Sequence, residues 1–111
     1  MANLYEYEAK IVEVYDGDTV TAIVNLGFST FTIQKFRLAR INAPEVRGDE
    51  KVKGKISRDR LRRKILGKTL IVKTLKDHKG KYGRYLAEII LDYENINDWL
   101  VEQNLAEYRE Y

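Results

Sequence analysis

Alternation of apolar and polar positions dominates the first third of the chain. Val20, Ala22, Val24 and Leu26 fall on one side of a segment interleaved with Thr21, Ile23 and Asn25. That period of two predicts a half-buried strand over residues 19–26. Residues 5–15, rich in Tyr, Val and Ile, predict a strand before it. Residues 30–41 alternate as well, but Phe31 and Ile33 are out of phase with Phe36 and Leu38, which predicts a β-bulge near Gln34 and Lys35. Two further strands are expected over residues 68–75 and 84–91. Turns are expected at Asp16-Gly17-Asp18 and Leu26-Gly27.

The helical period follows in two places. Ser57 has the chemistry of an N-cap, Ile56 and Leu61 have the spacing of a hydrophobic staple, and Leu61 and Ile65 share a face. Gly67 stands where a left-handed C-terminal residue belongs. A second helix is expected from about Asn97, with Asp98 in its first turn, Ile96, Leu100 and Val101 turned inward, and an end at Asn104. The order βββ-α-ββ-α is that of a five-stranded OB-type barrel with helices, an α+β fold whose one face binds oligonucleotides. Length fits a single domain over residues 1–111.

Composition removes several chemistries. The chain has no cysteine and a single histidine, His78, so disulfides, thiolate metal sites and multi-histidine zinc sites are excluded. No apolar run approaches the ~20 residues needed to span a bilayer, and residues 1–6 lack the basic-then-apolar order of a signal peptide. The net charge of +3 hides an asymmetry: residues 51–68 carry nine Lys/Arg against Asp59 alone, while residues 1–18 and 94–111 each carry five acids against one base. That segregation suits a polyanionic partner on one face. The basic stretch around Arg58–Lys64 also reads as a solvated helix surface, and that reading is slightly favoured.

Three segments concentrate reactive side chains. Val14-Tyr15-Asp16-Gly17-Asp18-Thr19 sets two carboxylates about a glycine at the mouth of a strand. Phe36-Arg37-Leu38-Ala39-Arg40-Ile41-Asn42-Ala43-Pro44-Glu45 delivers arginines and then oxygen donors around the only proline. Hard cations such as Ca²⁺ take carboxylate, amide and main-chain oxygens, so Asp18, Asn42 and the Ala43 carbonyl form a candidate donor set if the barrel gathers them. Lys81-Tyr82-Gly83-Arg84 opens the last strand with a planar arginine fork suited to phosphate and a tyrosine able to stack on a base.

In this order, and followed by Trp99-Leu100-Val101-Glu102-Gln103-Asn104-Leu105-Ala106, these motifs closely resemble the staphylococcal nuclease (thermonuclease) family from Tyr5 to Ala106. The resemblance implies an OB barrel that hydrolyses DNA and RNA with Ca²⁺, leaving 5′-hydroxyl and 3′-phosphate ends. It implies that Asp18, Asn42 and Ala43 hold the metal, that Glu45 is the general base, and that Arg37 and Arg84 grip the phosphate. It further implies that Lys81 and Tyr82 contact the nucleotide's other phosphate and that Asp16 and Thr19 support the metal loop.

The sequence departs from the family in three ways. Asn42 stands where the family has an aspartate, which removes one negative charge from the metal site. Tyr108 is near, but out of register with, the family's stacking tyrosines; it is carried here as a substrate contact. The loop after Glu45, Arg47-Gly48-Asp49-Glu50, is differently built. Two functions follow: a metal-dependent nuclease acting on single-stranded nucleic acid as a monomer away from membranes, or a non-catalytic OB-fold nucleic-acid-binding module with a weakened metal site.

Overall fold

The computed structural model describes residues 5–79 and 84–109. Long strands β1 (Glu6–Asp16), β2 (Thr19–Gly27) and β3 (Thr30–Leu38) form an antiparallel meander, and a short β4 (Ile41–Asn42) follows. Helix α1 (Lys51–Ile65) leads to β5 (Thr69–Lys79) and β6 (Tyr85–Leu91). A two-residue β7 (Glu94–Asn95), helix α2 (Ile96–Glu102) and β8 (Glu107–Tyr108) complete the chain. The sheet runs β3-β2-β1-β5-β6-β7, and a parallel pairing of β3 with β6 closes it into a five-stranded barrel. This is the OB-type α+β barrel expected from the order of elements.

Closure leaves one apolar interior. Ile11, Val14, Val20, Ala22, Phe36, Leu38, Val72 and Ile89 point inward, and Leu61 and Ile65 of α1 with Ile96 and Leu100 of α2 join the same core. Among the described residues, no helix is long and apolar enough to cross a membrane.

The bulges lie in β1 rather than in β3. The β2–β3 ladder is uninterrupted from Thr19↔Arg37 to Asn25↔Phe31, whereas β1 shifts register between Ile11 and Glu13 and again between Val14 and Asp16. The buried set Ala9, Ile11, Val14 already carries that slip in its spacing. Phe31 and Ile33 looked out of phase because they face solvent.

The third expected strand ends earlier, at Leu38, because Arg40 adopts φ +68° and turns the chain. The β2–β3 reversal also falls one step later than expected, on Phe28 and Ser29, both at positive φ.

Both helices begin before their expected starts. Ser57 is an interior residue of α1, not its cap: its buried hydroxyl donates to the Leu105 carbonyl at 2.7 Å and ties α1 to the segment after α2. The cap of α2 is Asn95, whose side chain accepts from the Asp98 N–H at 3.0 Å. Asn97 is fully buried, accepting from Ile89 N–H and donating to the carbonyls of Ala39 and Ala87 at 2.9–3.1 Å. Gly67 and Asn104 take the left-handed conformations expected after each helix.

Candidate active site

Register brings distant motifs to one end of the outer barrel surface. Thr19, the first residue of β2, lies opposite Arg37 on β3, and Arg37 lies beside Leu86 on β6. Successive same-face residues of a strand are two apart, so Arg84 enters β6 on the side that Arg37 occupies. The Asp16-Gly17-Asp18 turn sits over this junction, clamped by a hydrogen bond from Leu38 N–H to the Asp18 carbonyl at 2.8 Å.

Gly17 is required by the close approach of neighbouring chains: a Cβ there would meet the Ala43 Cβ at 2.7 Å and the Ser57 Cβ at 2.9 Å. Gly54 plays the same part in α1, where a Cβ would overlap the Glu45 carbonyl. The segment carrying Glu45 therefore rests directly on a glycine of α1. A glycine inside a lysine-rich helical stretch was the sequence signal for this approach.

Asp18 is the hub. Its side chain is buried, accepts from Ala43 N–H at 2.8 Å and from the Thr19 hydroxyl at 3.3 Å, and lies 3.2 Å from the Arg37 guanidinium. Asp18 N–H donates to Asp16 Oδ1 at 3.1 Å. Burial pushes the Asp18 carboxyl up to about 7, helped by hydrogen bonding with Asp16 and by its charge, and opposed by the Arg37 charge and the Ala43 N–H. A carboxylate held so far above its ordinary range in a polar cleft is a mark of functional sites.

Arg37 is anchored at several atoms. One nitrogen donates to the carbonyls of Leu38 and Ile41 at 2.7 and 3.1 Å, and the other reaches Asn42 Oδ1 at 3.4 Å as well as Asp18. Arg84 donates to the Thr19 hydroxyl at 3.2 Å, so Arg84, Thr19, Asp18 and Arg37 form one continuous chain of contacts. Glu45 is exposed and lines a depression with Tyr15, Asp16, Val46 and Arg47. Arg47, which lines the same depression, donates to the Tyr15 hydroxyl at 2.6 Å and is an arginine beside Glu45 to which the sequence motifs gave no role.

Asp18, Asn42 and Ala43 are thus brought together, with Asp16, Thr19, Arg37 and Arg84 around them. Among the described residues, no group of three or more His, Cys, Asp or Glu side chains could hold a metal ion. The candidate donor set is accordingly one buried carboxylate with neutral oxygens, and the contact that ties Ala43 to it is the Ala43 N–H on Asp18 Oδ2. The two side-chain oxygens, Asp18 Oδ2 and Asn42 Oδ1, already face one cationic nitrogen of Arg37, and an all-oxygen set of this kind fits a hard cation.

Tyr108 pairs with Ile41, one residue from Asn42, but its side chain belongs to a different set of contacts. Its hydroxyl donates to Asp98 at 2.9 Å and its ring lies under the Arg40 guanidinium, which forms a two-pronged pair with Glu88 at 2.7 and 2.8 Å. Lys81 and Tyr82 lie outside the described residues. Three basic side chains of α1 are engaged on the protein itself: Arg60 and Lys64 lie over Trp99, and Arg62 donates to the Val14 carbonyl.

A closed five-stranded barrel with an acidic turn and two arginines converging on its outer face defines the class to which comparison with known proteins points. Residues 35–111 match the family described as staphylococcal nuclease homologue, and the chain belongs to that family. It is 30% identical over 114 residues to a thermonuclease of Staphylococcus hyicus, covering 100% of this chain and 64% of that protein. It is 32% identical over 103 residues to an uncharacterized endonuclease of Haemophilus influenzae, covering 92% of this chain and 53% of that protein. The chain therefore spans about half to two thirds of the curated relatives it matches.

Proposed function

We propose that this chain is a Ca²⁺-dependent phosphodiesterase acting on DNA or RNA, cutting to 5′-hydroxyl and 3′-phosphate ends. The observation that carries the proposal is the contact chain Arg37–Asp18–Thr19–Arg84, which fixes two arginines about one buried carboxylate. Family membership and the relatives named as nucleases support a nucleic acid as the substrate.

Water attacks phosphorus, the bond to the 5′ oxygen breaks, and that oxygen leaves with a proton from solvent. Glu45, exposed at the edge of the depression, accepts the proton of the attacking water. Arg37 and Arg84 donate to the non-bridging oxygens, where negative charge grows on the way to the transition state. The carbonyls of Leu38 and Ile41 orient Arg37, and the Thr19 hydroxyl orients Arg84, so little reorganisation is needed when the phosphate arrives. Asp18, Asn42 and the Ala43 carbonyl would hold Ca²⁺, which supplies Lewis-acid stabilisation of the phosphoryl oxygens.

The test is cleavage of a fluorescent single-stranded DNA with Ca²⁺ titrated to high millimolar and EDTA as control, beside Glu45→Gln. Calcium-dependent products from the wild type, lost in Glu45→Gln while binding persists, are expected. Binding without products under every condition would replace the enzyme by a non-catalytic binding barrel, a reading favoured by the missing charge at Asn42.

A further inference from the structure

The alternation of β3 has a second use. Its inward residues fill the barrel, while its outward residues form the series Arg37, Lys35, Ile33, Phe31, which leads away from the candidate active site along one straight strand. Phe31 is 59% exposed and Ile33 67%, high values for large apolar residues of a strand. Ile33 faces Ile23 across the ladder, and Ile23 faces Lys10 of β1. Beside Phe31 a shallow hollow is lined by Ile23, Asn25, Lys10 and Glu8.

We propose that the outer face of β3 is a track for the single strand of nucleic acid that continues beyond the scissile phosphate. The inference rests on the nuclease-family site at Arg37 for its starting point. Same-face strand residues repeat at about 6.8 Å, so the series from Arg37 to Phe31 extends roughly 20 Å, room for several unstacked nucleotides. Lys35, opposite the small Thr21, meets the backbone one step from Arg37. Ile33 with Ile23, and then Phe31 over its hollow, offer apolar surface to base faces, which every base presents whatever its sequence. On β1, Glu13 lies opposite Thr21 and borders the strip near Lys35, while Lys10, opposite Ile23, shares with Glu8 the lining of the hollow beside Phe31. Such a strip, one residue wide, cationic near the site and apolar beyond it, matches a flexible polyanion with stacking bases better than it matches a flat apolar patch of a second protein.

The experiment measures fluorescence anisotropy in EDTA, where nothing is cut, with two probes: a phosphorylated thymidine dinucleotide and a 12-nucleotide oligothymidylate. The proteins are wild type, Phe31→Ser/Ile33→Ser, Phe31→Trp and Lys35→Ser. The wild type is expected to bind the long probe more tightly than the short one. The double variant should lose about 10- to 100-fold on the long probe alone, and Phe31→Trp should keep or exceed wild-type affinity. Lys35→Ser should lower the slope of log affinity against log salt by about one. Because these positions are exposed, thermal midpoints should stay unchanged.

Long-probe affinity within twofold of wild type in the double variant would overturn the track. So would equal wild-type affinity for both probes, or a dimer that the double variant dissolves without changing long-probe affinity, which would assign the face to a second copy. Cleavage assayed separately with Ca²⁺ reports on the nuclease reading, so the two can fail independently.

Discussion

The Arg37 guanidinium lies 3.2 Å from the buried Asp18 carboxylate and 3.4 Å from Asn42 Oδ1, so one nitrogen bridges the two side-chain oxygens proposed to hold the cation. Arg37 therefore neutralises the site when no metal is bound, and any entering cation competes with it. Replacing Arg37 by methionine leaves Asp18 without its charge partner. Folding stability of the metal-free protein should drop by about 2–4 kcal/mol at pH 8, read from urea unfolding. Cleavage should fall by roughly 10²–10³-fold, the scale of one lost transition-state donor. An Arg37→Met protein that cuts like the wild type would remove Arg37 from the chemistry.

Asp18 makes stability depend on pH in a defined direction. Its carboxyl titrates at about 7 in the fold against 3.8 for the ordinary group. Below pH ~4 both states are protonated and the residue is neutral to stability; between ~4 and ~7 only the unfolded chain ionises, so stability falls as pH rises, and the full cost remains above ~7. Asp18→Asn should therefore raise the stability of the metal-free protein at pH 8, by on the order of 1–3 kcal/mol. The gain should vanish by pH 3.5. Paired thermal melts at the two pH values check the sign, and the same substitution should abolish calcium-dependent cleavage.

Asn42→Asp adds a charge to the proposed donor set. Calcium affinity, followed by calorimetry, should rise by roughly tenfold, since affinity in such sites is tuned by the count of charged ligands. Cleavage should then reach half-maximal rate at lower Ca²⁺. Unchanged affinity would place the cation away from Asn42.

Gly54→Ala tests how α1 supports the Glu45 segment. A Cβ at Gly54 overlaps the Glu45 carbonyl, so main chain rather than a flexible side chain must move. A stability loss of about 1–3 kcal/mol is expected, with a larger fractional loss in kcat than in substrate affinity if Glu45 is the general base proposed above.

Asn97 ties α2 to β6 and to the turn after β3 with three buried hydrogen bonds. Asn97→Ala should cost about 1–3 kcal/mol by stranding the Ile89 N–H and the Ala39 carbonyl, while the Ala87 carbonyl keeps its bond from the Ala39 N–H. The thermal midpoint, measured without substrate, reports it.

Local pattern carried a large part of this protein. A period of two over residues 19–26 can only bury one face of a strand, and the order of strands and helices restricts closure to few topologies, so the barrel was legible. Asp16, Asp18, Arg37, Asn42, Ala43 and Arg84 were legible as candidates from their motifs and the family those motifs resemble, and the fold gathers them. Left-handed positions at Gly67 and Asn104 were legible because they depend on the residue itself.

What the fold alone decided involves partners far apart in sequence. Ser57 has the chemistry of a cap, yet the Leu105 carbonyl, 48 residues away, makes it an interior anchor. Tyr108 has the chemistry of a base platform, yet Asp98 and Arg40 hold it in a separate network. Phe31 and Ile33 have the hydrophobicity of core residues, yet the unbroken β2–β3 ladder turns them outward. Side-chain chemistry and periodicity are properties of a segment, and the sequence states them. Which face closes inward, and which groups lie within 3 Å across the barrel, follow from registers set jointly by all five strands, and only the tertiary structure decides them.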